Sequence, residues 1–140
     1  MALTWIREAP ATWDEAKARI IGGAPAGAFD ETRLTKEGVL PGEWWRVERD
    51  GRTVGFGWMD LVWGDAEILL AVDPAEQGGG VGAFILHRLT REASSRGVRR
   101  LYNTVREGHV DGARVTRWLL SHGFVTRHGA NQLDRPVPAA

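Results

Sequence analysis

The sequence predicts an α/β domain built on a mixed, mostly antiparallel sheet. Three observations predict it. Strand-like and helix-like hydrophobic periods follow one another as strand, helix, helix, three-strand meander, helix, strand, helix, strand pair. An Asp50-Gly51 pair between two alternating runs marks a tight hairpin. A glycine cluster, Gly78-Gly79-Gly80-Val81-Gly82, separates a strand-like run from a long helix-like one. At 140 residues and 15.4 kDa the chain is expected to form one domain, 1–140. A chain of that length buries about two-thirds of its unfolded surface and needs no staple.

The elements follow in order. Leu3 to Arg7 alternates apolar and polar, as a short strand does. Thr12 and Glu15 form a capping box, each side chain satisfying an orphan N–H of the other. Trp13, Ala16 and Ile20 then recur at helical spacing, and Gly22-Gly23 ends the run. A second short helix is expected after Asp30, with Phe29 and Leu34 as a hydrophobic staple and Gly38 as its stop. Glu43 to Arg49 and Arg52 to Leu61 flank the hairpin turn. Simple pairing across that turn sets Val47 opposite Val54 and Trp45 opposite Phe56, with Trp58 on the same face. Trp44, Arg46, Gly55 and Gly57 then share the other face. After a turn at Trp63-Gly64-Asp65, Ala66 to Val72 is nearly all apolar, as a central strand should be.

Beyond the glycine cluster, Val81, Ile85, Leu89 and Ala93 make the buried stripe of a helix that runs to about Arg96 and is stopped by Gly97. Val98 to Val105 reads as a strand. Asp111 caps the next helix, which places Val115, Trp118, Leu119 and His122 on one face and ends at Gly123. Phe124 to Thr126 and Asn131 to Val137 close the chain as strands.

Charge and composition exclude several functions. Lys plus Arg and Asp plus Glu are 18 each, so the basic footprint of a nucleic-acid binder is missing. Cysteine is absent, which excludes cysteine nucleophiles, thiolate zinc sites and disulfide frameworks. No run approaches the roughly 18 apolar residues of a membrane span, and the start lacks a basic stretch before an apolar one. A cytoplasmic protein without a membrane partner is expected.

The glycine cluster carries most of the functional information. Glycine is 18 of 140 residues, against an ordinary usage of about 7%. A strand that feeds a glycine-rich turn and then a helix makes an anion site. The first helical N–H groups lack internal partners, the helix dipole is positive there, and glycine lets a phosphate approach the backbone. A P-loop would need Lys-Ser/Thr after the last glycine, where Val81-Gly82-Ala83-Phe84 stands instead. Gly78-x-Gly80-x-x-Ala83 has dinucleotide-fingerprint spacing, but its strand belongs to an antiparallel meander and five loop residues intervene. A plain turn needs one or two glycines, and three in a row are costly in backbone entropy.

The stretch Val72-Asp73-Pro74-Ala75-Glu76-Gln77-Gly78-Gly79-Gly80-Val81-Gly82-Ala83 resembles the acyl-CoA motif of the GNAT superfamily of N-acetyltransferases. That motif reads Gln/Arg-x-x-Gly-x-Gly/Ala after a strand with a valine-like end, and Gln77, Gly80 and Gly82 take its fixed positions. A helix ending in Gly123-Phe124 is similar to the family's second signature. The order of elements matches the fold over nearly the full chain. The resemblance implies a GNAT-like twisted sheet with helices on both faces, acetyl-CoA as the acyl donor and no metal.

Carried over, the backbone amides of Gln77, Gly78, Gly79, Gly80, Val81, Gly82 and Ala83 hold the CoA pyrophosphate. The pantetheine arm pairs with Leu70, Ala71 and Val72 like an added strand, and an N–H of that stretch polarises the thioester carbonyl. The acceptor amine attacks directly, in a ternary complex, and must first lose its proton. Glu67, on the strand before the motif, is the candidate base, one residue out of phase with Ile68, Leu70 and Val72 unless a bulge intervenes. Asp60 and Asp65 are its rivals. The family often places a proton-donating tyrosine four residues before the Gly of Gly-Phe, where this chain has Leu119. Tyr102, His122 or water is left to protonate the thiolate, and the ordinary reading of His122 is a helix-end histidine. Trp44, beside the space left by Gly55 and Gly57, and His109, in the loop before the last helix, are candidate acceptor contacts. The expected function is N-acetylation of a small-molecule primary amine. A non-catalytic acyl-CoA-binding module and a protein or peptide N-acetyltransferase are the alternatives. The sheet edge and the tryptophan content admit a homodimer.

Overall fold

A computed structural model describes residues 2–22, 40–126 and 131–139. The helix expected after Asp30, with Phe29, Leu34 and Gly38, lies outside the described residues. The strands are β1 (Leu3–Glu8), β2 (Glu43–Arg49), β3 (Arg52–Val62), β4 (Asp65–Val72), β5 (Arg100–Thr104), β6 (Val125–Thr126) and β7 (Gln132–Pro136). The helices are α1 (Glu15–Ile20), α2 (Val81–Ser95) and α3 (Gly112–Ser121), with a 3-10 turn at Pro74–Glu76. One seven-stranded sheet runs β1-β2-β3-β4-β5-β7-β6, and every pairing in it is antiparallel except β4 with β5.

Asp50 and Gly51 both take positive φ, 54° and 76°, so the β2–β3 turn has the twist a two-residue hairpin requires. The register differs from simple pairing. A shift between Val47 and Glu48 leaves Glu48 opposite Thr53 but sets Val47 opposite Gly55, Arg46 opposite Phe56, Trp45 opposite Gly57 and Trp44 opposite Trp58. One extra residue on β3 exchanges the partners of every residue beyond it. Trp45 and Val47 therefore share a face with Gly55 and Gly57, while Trp44, Phe56 and Trp58 share the other.

Each face builds its own core. On one side α2 buries Val81, Ile85, Leu86, Leu89 and Ala93 against Trp45, Val47, Met59 and Ile68. The glycines set how closely that helix docks. A Cβ on Gly57 would lie 2.8 Å from Trp5 Cη2 and 3.0 Å from Ile85 Cγ2. Trp5 occupies this space and stacks on Trp45 at 5.4 Å. α3 adds Leu119 to the same side, with Val115 and Trp118 packed against it. On the opposite face Ile20 and Ile21 meet Trp44, Phe56, Trp58 and Ala71.

The α1 cap is Asp14 rather than Thr12. Asp14 Oδ1 accepts the Lys17 N–H at 2.8 Å, and the helix begins at Glu15. Thr12 sits in a short bridge segment, next to the Ala11 carbonyl that accepts the Leu40 N–H, so it has no helix to cap.

Candidate active site

β4 and β5 pair over only three positions, Asp65, Ala66 and Glu67 with Arg100, Leu101 and Tyr102. There the strands part. Asn103, buried at 9% exposure, donates its Nδ2 to the Ile68 carbonyl at 2.8 Å, which satisfies a backbone acceptor that β5 no longer reaches. Beyond it Leu69 to Val72 pair with β3 on one side and face open space on the other. A cavity of about 510 Å³ fills this split.

The glycine turn forms one end of the cavity. Asp73 starts it, with Oδ1 accepting the Ala75 N–H at 3.0 Å. Gly78 and Gly80 hold φ of 81° and 83°, and a Cβ on either would meet nothing within 4 Å. Gly80 is the N-cap of α2 and offers no side chain. The first helical bond, from the Phe84 N–H to the Gly80 carbonyl, spans 3.0 Å. The amides of Val81, Gly82 and Ala83 thus have no acceptor among the described residues. Unpaired amides at a positive helix end, on glycines that leave room, can hold a multiply charged anion.

Arginine pairs brace the turn from behind. Asp73, 4% exposed, takes Arg19 of α1 and Arg52 of β3, the latter at 3.3 Å. Arg49 of β2 pairs with Glu76. The Ala75 amide, chiefly, with Arg19 and Arg52 holds the Asp73 carboxyl below its ordinary range, against the opposing effect of burial. A depressed folded-state pKa stabilises the fold above the unfolded value near 4, and this contribution is lost as pH falls through the folded value. Asp73→Asn is expected to lower stability by about 1–2 kcal/mol at pH 7. The difference from wild type should shrink in urea titrations below pH 4, and a difference that stays constant with pH would refute the charge assignment.

The cavity wall brings together Leu70, Ala71, Val72, Gln77, Gly78, Gly80, Val81, Gly82, Ala83 and His109. Gly79 lies within the turn, its N–H bonded to Glu76 O at 3.3 Å. Opposite stand Asn103 to Arg106 and Arg114, Trp118 and Leu119 of α3. His109 Nδ1 accepts the Asp111 N–H at 3.0 Å, so its other nitrogen is the one left to meet a ligand.

The cavity also reaches the α1 face of the sheet, where Ile20, Leu69 and Ala71 line it. Glu67 lies on this same side of β4 but is not on the cavity wall. β3 and β4 pair without a shift from Asp65 to Val72, so β4 has no bulge. Ile68, Leu70 and Val72 turn toward α2, while Glu67, Leu69 and Ala71 turn toward α1. Glu67 stands one step below Leu69 on that side, level with Asp60 of β3 and Tyr102 of β5. Burial, then the charges of Glu67, Asp60 and Asp65, raise the Tyr102 pKa, so the phenol keeps its proton at neutral pH.

Four expected residues stand off the cavity wall: Glu67 and Tyr102, which face each other across β4 and β5, and Trp44 and His122, which are engaged elsewhere. Trp44 is 2% exposed, packs edge-on against Phe56 at 6.2 Å and donates Nε1 to the Pro41 carbonyl at 3.0 Å. The shifted register moves Gly55 and Gly57 to the other face, and the crevice beside Trp44 measures about 10 Å³. His122 lies off the cavity wall. Its Nδ1 stands 2.8 Å from the Trp118 carbonyl, which can only accept, so Nδ1 carries the hydrogen. Its ring lies on Trp118 at 4.1 Å. Sequence reasoning missed Asn103 and Arg114. A lone amide at the alternating positions of Leu101 and Val105 was the available signal for Asn103.

Residues 5–124 match the acetyltransferase (GNAT) family. The chain belongs to that family. Among solved structures, this GNAT chain is similar to the ribosomal-protein-S18-alanine N-acetyltransferase of Escherichia coli, with 21% identity, a TM-score of 0.72, and 99% of this chain and 96% of that one covered. It is similar to N-acetylglutamate synthase of Neisseria gonorrhoeae, crystallised with coenzyme A and N-acetyl-glutamate, at 19% identity and TM-score 0.66, covering 99% and 36%. It also resembles Rv2747 of Mycobacterium tuberculosis, crystallised with CoA, at 31% identity and TM-score 0.51, covering 61% and 50%. Comparison with curated proteins gives no significant match. Among the described residues no helix is long and apolar enough to cross a membrane.

Proposed function

We propose that this GNAT protein is an acetyl-CoA-dependent N-acetyltransferase acting on a primary amine of a small molecule, with residues 1–140 as one catalytic domain. The observation that carries the reading is the cavity itself. It joins unpaired amides at a positive helix end to an open strand edge and continues through the sheet to its other face. The donor set fits a phosphorylated thioester. The unpaired amides of Val81, Gly82 and Ala83 would hold the pyrophosphate, and the open edge of Leu70, Ala71 and Val72 would pair with the pantetheine arm. Acetyl-CoA supplies the acetyl group as a thioester activated toward amines. An N–H of the open edge polarises the thioester carbonyl.

The acceptor enters from the α1 face, where Glu67 takes the proton of the ammonium directly or through one water. Tyr102, held protonated beside Glu67, or water returns a proton to the thiolate. Leu119 on the cavity wall cannot donate one. That observation favours the second reading, a donor-binding module without turnover.

Calorimetric titration with acetyl-CoA and CoA, followed by turnover with a panel of small amines and peptide N-termini, decides among these. The proposal expects micromolar binding and turnover with a small amine. Binding without turnover favours the module, turnover restricted to peptides favours a peptide acceptor, and no binding at millimolar ligand overturns the donor site. Glu67→Gln is expected to lower kcat by about 100-fold at pH 7. The deficit should narrow as pH rises and the free-amine fraction grows. A variant with the wild-type pH–rate profile removes Glu67 from the reaction.

A further inference from the structure

We propose that Arg114 is a specificity residue that clasps a phosphate of the acyl donor and makes the site select phosphorylated thioesters over unphosphorylated ones. The inference rests on the acyl-CoA reading above. Arg114 lies in the first turn of α3, across the cavity mouth from the glycine turn. Its side chain is 66% exposed, and its guanidinium has two distant partners. Nη2 lies 3.5 Å from Gln77 Oε1, and Nη1 lies 4.0 Å from Asp111 Oδ2. Both contacts are at the outer limit of a hydrogen bond or ion pair and hold the group weakly. The arginines behind the turn differ, because Arg19 and Arg52 are committed to Asp73 and Arg49 to Glu76.

The position of Arg114 matters as much as its weak partners. Gln77 opens the glycine turn that leads to the unpaired amides of Val81, Gly82 and Ala83, and both Gln77 and those residues line the cavity with Arg114, so the guanidinium stands on the wall of the space where those amides would hold an anion. A guanidinium has five donors in a planar fork and binds phosphate oxygens in pairs. Exchanging a neutral amide oxygen at 3.5 Å for a charged phosphate oxygen strengthens the contact. The amides then grip the anion from α2 while Arg114 closes on it from α3, and the donor's phosphate bridges the two helices. An unphosphorylated pantetheine thioester makes the strand-like contacts alone.

The test is calorimetric titration of wild type and Arg114→Gln with CoA, dephospho-CoA and pantetheine. The exposed side chain makes a folded variant the expectation, checked by an unchanged Tm. Arg114→Gln should weaken CoA by about 10- to 100-fold and leave pantetheine unchanged. An equal loss with dephospho-CoA places the clasp on the pyrophosphate, and a loss confined to CoA places it on the 3′-phosphate. Both support the proposal. Unchanged CoA affinity, or a matching loss with pantetheine, overturns it. Failure of wild type to bind CoA overturns the underlying acyl-CoA reading and this inference with it, and that outcome is visible before any variant is made.

Discussion

Gly80→Val is expected to abolish CoA binding while leaving a folded domain. Gly80 holds φ at 83° in the N-cap of α2, where a β-branched residue is strained by about 1–2 kcal/mol. Relief of that strain rotates the first turn of α2 and withdraws its unpaired amides from the cavity. Losing two charge-assisted hydrogen bonds weakens binding by about 100-fold or more. Gly82 separates this effect from strain, because its φ is not positive. A Cβ there would lie 3.5 Å from Trp118 Cζ2 and 3.8 Å from Val72 Cγ2, both ordinary contacts. Gly82→Ala should therefore bind CoA within a few-fold of wild type. Gly82→Leu pushes a side chain between two cavity-lining residues and should lose CoA with little change in Tm. A Gly82→Leu protein with wild-type affinity would show that the donor phosphates lie elsewhere.

How much of this was legible in sequence depended on whether the cause was local. The Asp50-Gly51 turn, the Val81-Ile85-Leu89-Ala93 stripe and the glycine turn are set by residues within one or two turns of each other, and all three stand as read. The faces of the hairpin were not legible. The register shift between Val47 and Glu48 is a property of two paired strands, and no period within either strand records it. It decides that Trp45 rather than Trp44 faces α2, and so removed the reason for placing an acceptor beside Trp44. The side of β4 that meets the site was not legible either. The cavity opens to both faces of the sheet, so Leu69 and Ala71, on the Glu67 side of β4, line it while Glu67 itself stands off its wall. The split between β4 and β5 was likewise hidden, because a strand's own sequence does not say where its neighbour leaves it. Asn103 holds the split open, and Arg114 reaches the glycine turn from a helix 37 residues away.

Lys17→Ala should produce the largest loss of stability outside the apolar core, about 3–5 kcal/mol. Lys17 has no exposed side-chain surface, although it sits on a short surface helix where lysine is normally solvated. Nζ lies 2.6 Å from Glu8 Oε1 and 3.3 Å from Asp14 Oδ2, over the rings of Phe56 at 4.9 Å and Trp44 at 5.4 Å. Truncation strands Glu8, 10% exposed, with Arg46 at 3.7 Å as its other basic partner, and opens a cavity against two aromatic rings. Lys17→Met fills that volume but still strands the carboxylate, so it should recover a part of the loss. Lys17→Met combined with Glu8→Gln removes both charges and should recover most of it. Urea denaturation of the two singles and the double gives the coupling energy directly. A cost below about 1 kcal/mol for Lys17→Ala would mean that the pair contributes nothing net. The consequence for the site follows from position on α1. Arg19 and Ile20 come two and three residues after Lys17; one braces Asp73 beneath the glycine turn and the other lines the cavity on the acceptor side. Loosening α1 at Lys17 should therefore weaken donor and acceptor binding together, whereas Gly82→Leu should affect the donor first.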